Sequence, residues 1–125
     1  MSAKKKTILI IDDEPHIQTM VATRLQANDF KVITALDGKE GLEKVKKERP
    51  DLILLDIMMP EMDGYDFLRE LKKISGVNLM PIIMFTAKVR REDIDKAIYL
   101  GAVDYVIKPF TSTVLLDKIR QFLKS

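Results

Sequence analysis

Five short apolar runs punctuate the chain without alternating polar residues. They are Thr7–Ile11, residues 30–35 around Val32 and Ile33, Leu52–Leu55, residues 81–85 (Pro81 followed by Ile82, Ile83, Met84 and Phe85), and Asp104–Ile107. Unalternating runs of about 4–6 residues suit strands covered on both faces. Between them lie helical periods. Ile17, Met20, Val21 and Leu25 recur at three- and four-residue spacing behind Pro15, a residue suited to a first helical position. Asp37 and Glu40 have capping-box spacing, with Leu42 and Val45 following on one face. Asp63 caps a third segment bearing Phe67, Leu68, Leu71 and Ile74, with Gly76 just past its end. Ile94, Ala97 and Ile98 form a fourth stripe that stops at Gly101. Leu115, Ile119, Phe122 and Leu123 form a fifth, opened by Thr111 or Ser112.

Strand–helix alternation with doubly buried strands predicts an α/β fold, a parallel sheet with helices on both faces. Right-handed crossovers leave few topologies. The expected one is a flavodoxin-like doubly wound sheet of five strands in order 2-1-3-4-5, with five helices. In such a sheet, chemistry gathers at the carboxyl ends of the strands, at the switch point between strands 1 and 3.

Composition adds exclusions. A length of 125 residues suits one domain, residues 1–125, with residues 1–5 as a basic tail. The absence of cysteine removes disulfides, thiolate metal sites and cysteine nucleophiles together. Lys and Arg number 21 against 19 Asp and Glu. That balance gives no electrostatic footprint for nucleic acid, so no direct nucleic-acid partner is expected. No apolar run approaches the ~18 residues of a membrane span, so no membrane partner is expected either. The apolar stretch after the basic start is too short for a signal peptide, which leaves a cytoplasmic location as the expectation.

The strand ends carry the chemistry. Strand 1 runs into Asp12-Asp13-Glu14, strand 3 into Asp56, strand 4 into Thr86, and strand 5 into Lys108-Pro109. Three converging aspartates repel one another beyond what one lysine neutralises, so they demand a cation or a raised pKa. Oxygen-only ligands with room for water suit Mg²⁺. A carboxylate beside such an ion is a nucleophile toward phosphorus. The metal, Lys108 and the Thr86 hydroxyl can each hold one equatorial oxygen of the transferring group. Asp56, alone at the end of the central strand, is the best placed nucleophile.

The stretches Ile10 to Glu14, Asp56 to Gly64, Phe85-Thr86-Ala87 and Gly101 to Phe110 occur together on five strand–helix units. In that order and spacing the chain resembles the receiver domain of bacterial two-component response regulators, the CheY-like family. The resemblance covers residues 6–123. It implies Asp56 as phosphoacceptor and Mg²⁺ as cofactor. Asp13, Asp56 and the Met58 carbonyl would be metal ligands, with Asp12 acting through water. It implies phosphoryl contacts from Thr86, Lys108 and the Ala87 backbone, and Thr86 and Tyr105 as a switch pair. It also implies a cis peptide before Pro109. A sensor histidine kinase or phosphotransfer protein would be the donor, and the domain would not be an enzyme on an external substrate.

Two rivals fit less well. A flavodoxin-like electron carrier needs a hydroxyl- and glycine-rich phosphate cradle where Asp12-Asp13-Glu14 stands. An aspartate-nucleophile phosphatase of the dehalogenase type wants an acidic residue two places after the nucleophile, where Met58 stands. His16, the lone histidine, and the basic Lys4-Lys5-Lys6 run read as solvated surface. Met58, Met59 and Met62 read as gap fillers beneath the site. Tyr99 falls off the apolar stripe of the fourth helix.

Overall fold

A computed structural model of the chain describes residues 4–74, 76, 80–87 and 90–123. The first three residues of the expected basic tail lie outside that range. Among the described residues the strands are β1 (Thr7–Ile11), β2 (Lys31–Ala35), β3 (Leu52–Leu55), β4 (Ile82–Thr86) and β5 (Asp104–Ile107). The helices are α1 (Pro15–Ala27), α2 (Gly38–Glu48), α3 (Gly64–Leu71), α4 (Arg91–Tyr99) and α5 (Ser112–Phe122). All strand pairs are parallel, in the order β2-β1-β3-β4-β5.

Every residue of β3 and β4 is buried, as unalternating runs require. The sheet divides two cores. One, under α2, α3 and α4, holds Leu9, Ile11, Ile53, Leu55, Phe67, Leu68 and Met84. The other, under α1 and α5, holds Ile8, Ile10, Leu25, Leu54, Phe85, Val106 and Ile119.

The helix starts follow their capping residues. Asp37 Oδ1 accepts from Glu40 N at 2.8 Å, and Glu40 Oε1 in turn accepts from Leu36 N at 2.8 Å. Asp63 Oδ1 accepts from Asp66 N at 2.9 Å, and Thr111 Oγ1 from Val114 N at 3.2 Å. The bonds to Glu40, Asp66 and Val114 satisfy amides that a first helical turn leaves unpaired, and the bond from Leu36 closes the capping box ahead of α2. Gly64 opens α3 where a Cβ would meet the Asp56 carbonyl oxygen at 2.6 Å, so the absence of a side chain lets α3 start against the end of β3.

Several positions depart from the sequence reading. α1 buries Gln18 with Val21 and Leu25, whereas Met20 is 47% exposed. Gln18 tolerates burial because its amide donates to the carbonyls of Asp12 and Ala35. On the nine-residue α4 only Ala97 is fully buried, Ile94 is half-buried, and Ile98 is 45% exposed. α3 ends at Leu71, so Ile74 packs against the core from beyond the helix. Met59 and Met62 pack into the core as gap fillers, but the Met58 side chain stands out in solvent.

Candidate functional site

Parallel pairing brings the chemistry together. Ile11 stands opposite Leu55 in the β1–β3 register, so the next residues, Asp12 and Asp56, emerge side by side. Asp56 N donates to Ile11 O at 3.0 Å, which carries the ladder one step past the strand. On the other flank Thr86 pairs with Ile107, and Lys108 N donates to Thr86 O at 2.9 Å.

The two buried aspartates are held alike. Asp12 Oδ1 accepts from Glu14 N at 2.9 Å, and Asp56 Oδ1 from Met58 N at 3.2 Å. Each carboxylate thus spends one oxygen on its own loop. The remaining oxygens face Lys108, whose Nζ lies 2.6 Å from Asp12 Oδ2 and 3.4 Å from Asp56 Oδ2. Glu14 Oε1 stands 3.8 Å from the same nitrogen. Lys108 therefore leans on Asp12 more closely than on Asp56.

Charge follows from this placement. Burial pushes the Asp12 carboxyl above the usual carboxylate range, although the Lys108 hydrogen bond and the Glu14 amide pull it down. For Lys108, burial favours the neutral amine. The hydrogen bond to Asp12 and the charges of Asp56 and Asp12 outweigh it, and the pKa ends above that of an ordinary lysine. Lys108 therefore keeps its positive charge.

One carboxylate oxygen from each of Asp12, Asp13, Glu14 and Asp56 lies within 4.8 Å of the others. Asp12 and Asp56 are buried, whereas Asp13 and Glu14 are exposed at the rim. Four hard oxygens with one neutralising lysine suit a small divalent cation that keeps part of its water. Beside them, Asp13, Ile57, Met58, Met59, Pro60, Asp63 and Tyr65 line an open cleft of about 380 Å³. Met58 sits in that loop two residues beyond Asp56.

Thr86 is wholly buried at the end of β4, and Ala87 is exposed just beyond it. Tyr105 does not end its strand. It is the second residue of β5, opposite Met84, and packs against the α2–α4 core two residues short of the level of Thr86. Burial, followed by the charges of Asp93 and Asp56, pushes its phenol up to about 12. The Lys108–Pro109 peptide is cis. His16 is solvent-facing, 3.8 Å from Glu14.

The sequence reading passed over three contributors. Glu14 was visible in the acidic triplet but was given no part in the cluster. Gln18, which closes the loop between β1 and α1, left no signal in an apolar stripe. Tyr65 donates its hydroxyl to Asp93 Oδ1 at 3.1 Å and lies beneath Lys96, whose Nζ is 4.2 Å from the ring centroid. That tie between α3 and α4 joins residues 28 positions apart, beyond the reach of local periodicity.

A doubly wound sheet in the order 2-1-3-4-5, with acidic ends on β1 and β3 and a lysine after β5, is the architecture of a CheY-like receiver fold. The family model described as the response regulator receiver domain matches residues 8–120, and the chain belongs to that family. It is a response-regulator receiver domain of two-component signalling, a regulatory module rather than a classical enzyme. It is 44% identical over 124 residues to the probable transcriptional regulator ycf27 of Cyanophora paradoxa, covering 99% of this chain and 51% of that protein. It is 39% identical over 119 residues to the alkaline phosphatase synthesis transcriptional regulatory protein PhoP of Bacillus subtilis, covering 95% of this chain and 49% of that protein. The chain spans about half the length of these curated relatives. Among solved structures, the chemotaxis protein CheY4 of Vibrio cholerae superposes with a TM-score of 0.92 at 33% identity, covering 96% of this chain and 100% of that one. No helix among the described residues is long and apolar enough to cross a membrane.

Proposed function

We propose that this receiver domain accepts a phosphoryl group on Asp56 from the phosphohistidine of a sensor histidine kinase or phosphotransfer protein, with Mg²⁺ as cofactor. The observation that supports this most is the convergence of Asp12, Asp13 and Asp56 with Lys108 at one edge of the sheet. An Asp56 carboxylate oxygen forms the new bond to phosphorus as the phosphorus–nitrogen bond of the donor breaks and the imidazole leaves. Asp13, Asp56 and the Met58 carbonyl would hold the metal, with Asp12 acting through water. Bound magnesium offsets the negative charge of the acidic cluster and the phosphoryl oxygens. Lys108, the Thr86 hydroxyl and the Ala87 backbone contact the transferring group.

The output follows by population shift, because the added charge of about −1.5 to −2 suits only one arrangement of the site. Thr86 moves toward the phosphoryl group, Tyr105 turns inward, and the surface of α4, β5 and α5 changes. That surface exposes Ile98, Tyr99, Val103, Ile107 and Val114, a patch suited to a protein partner. The residues act as one unit in the cytoplasm, without direct contact to nucleic acid or membrane. Its only catalysis is of its own phosphorylation and dephosphorylation.

Incubation with acetyl phosphate and Mg²⁺ tests the reading. The natural chain gains one phosphoryl group, and Asp56→Asn loses most of that signal. An undiminished signal in the variant overturns the assignment.

A further inference from the structure

Lys108 is held on two sides, and only one of them is acidic. Besides the carboxylates, its Nζ has an aromatic neighbour, standing over the Phe85 ring 4.7 Å from its centroid. That is inside the ~6 Å over which an aromatic face attracts a cation. Phe85 is wholly buried on β4, one residue before Thr86. Phe110, two residues after Lys108, meets the Phe85 ring edge-on, with centroids 6.2 Å apart and planes at 64°. The ring is therefore fixed by its strand and by the segment that carries the lysine.

This arrangement answers a difficulty at the site. A lysine side chain is a flexible stem with a strongly hydrated head. Here only 13% of the side chain reaches solvent, so water does little to place the ammonium. Its nearest oxygen belongs to Asp12, at 2.6 Å, and Asp56 lies farther away, at 3.4 Å. A phosphoryl group on Asp56 requires the ammonium to travel from one to the other. A hydrogen-bond acceptor behind the lysine would hold it at one point. A π face attracts the cation over its whole breadth, so the ammonium keeps that attraction while it slides.

We propose that Phe85 is a positioning residue for Lys108, whose π face confines the ammonium to the acidic strand ends while leaving it free to move from Asp12 toward the phosphoryl group. The inference rests on the reading of Asp56 as acceptor. A buried aliphatic residue would fill the same space without attracting the charge.

The test replaces Phe85, site-specifically, with phenylalanines of increasing ring fluorination, which drain the negative face while keeping the shape. Two quantities are read: the rate of Mg²⁺-dependent phosphorylation by acetyl phosphate, and the NMR resonance of the Lys108 ammonium. The rate should fall stepwise, by about 2- to 30-fold across the series, as the resonance moves. In a Lys108→Met background, the residual rate should ignore fluorination. A rate that is flat across the series overturns the proposal, and so does an equal fall in the Lys108→Met background, which marks a packing effect. Should the natural chain take no phosphoryl group, the acceptor reading falls by itself. The Lys108 resonance then decides the role of Phe85: movement with fluorination supports it, and a fixed resonance refutes it.

Discussion

At the scale of single residues, the adjacent Asp12 and Asp13 stand in two different environments. Asp12 is buried, bonded to the Glu14 amide and Lys108, and held above the usual carboxylate range by burial. Asp13 is solvent-facing, at the rim of the cluster. An exposed carboxylate gives an oxygen to an ion without first surrendering a protein partner, so under the proposed function Asp13 would be the cheaper direct ligand. Asp13→Ala should weaken Mg²⁺ binding at least tenfold in a calorimetric titration, whereas His16→Ala should leave it within a factor of two. Equal affinities in both variants would place the metal elsewhere. The strand-end rule made Asp12, Asp13, Asp56, Thr86 and Lys108 legible from sequence, because parallel strands deliver their last residues to one edge. It was silent on which carboxylate Lys108 prefers. The fold puts Lys108 Nζ nearer Asp12, at 2.6 Å, than Asp56, at 3.4 Å, a difference that spacing along the chain does not encode.

At the scale of elements, periodicity located each strand and helix seen among the described residues and erred where a side chain makes its own hydrogen bonds or a helix is short. Gln18 took the buried place that apolar spacing assigned to Met20, and Ile98 turned outward on the short α4. Contacts between elements were invisible to it. The Tyr65 hydroxyl ties α3 to α4 through Asp93, and Tyr65→Phe removes that bond with little change of shape. The loss should be about 1 kcal/mol in denaturant unfolding, with faster amide exchange in α4 than in the other helices. Unchanged exchange in α4 would show that the tie carries no stability. Tyr105 gives a second handle. Its phenol is pushed up to about 12, chiefly by burial, against an ordinary value of 10, so the fold favours the neutral form. That contribution is complete below about pH 10 and is lost as pH rises through about 12. Tyr105→Phe should therefore lose less stability across that alkaline interval than the natural chain. Parallel melting curves for the two would contradict the burial argument.

At the scale of the whole molecule, the domain joins an acidic edge to an exposed face through β4 and β5. Thr86 closes β4, and Tyr105 lies one side-chain layer below it on β5. Thr86→Ala leaves Lys108 and the carboxylates in place, so Asp56 should still take beryllofluoride, a phosphoryl mimic. The amide shifts that follow in α4 and β5 of the natural chain should shrink, because the coupling hydroxyl is gone. A full natural shift pattern in Thr86→Ala would rule out the Thr86–Tyr105 route. The proposed function depends on where the phosphoryl group lands. The most direct measurement treats the chain with phosphoramidate, whose phosphorus–nitrogen bond matches that of phosphohistidine, in Mg²⁺. Borohydride reduction then converts the acyl phosphate to homoserine, and peptide mass spectrometry locates it. The account predicts a single modified position, residue 56, and none when Mg²⁺ is chelated. Modification at another carboxylate, or at residue 56 without any divalent ion, would contradict it.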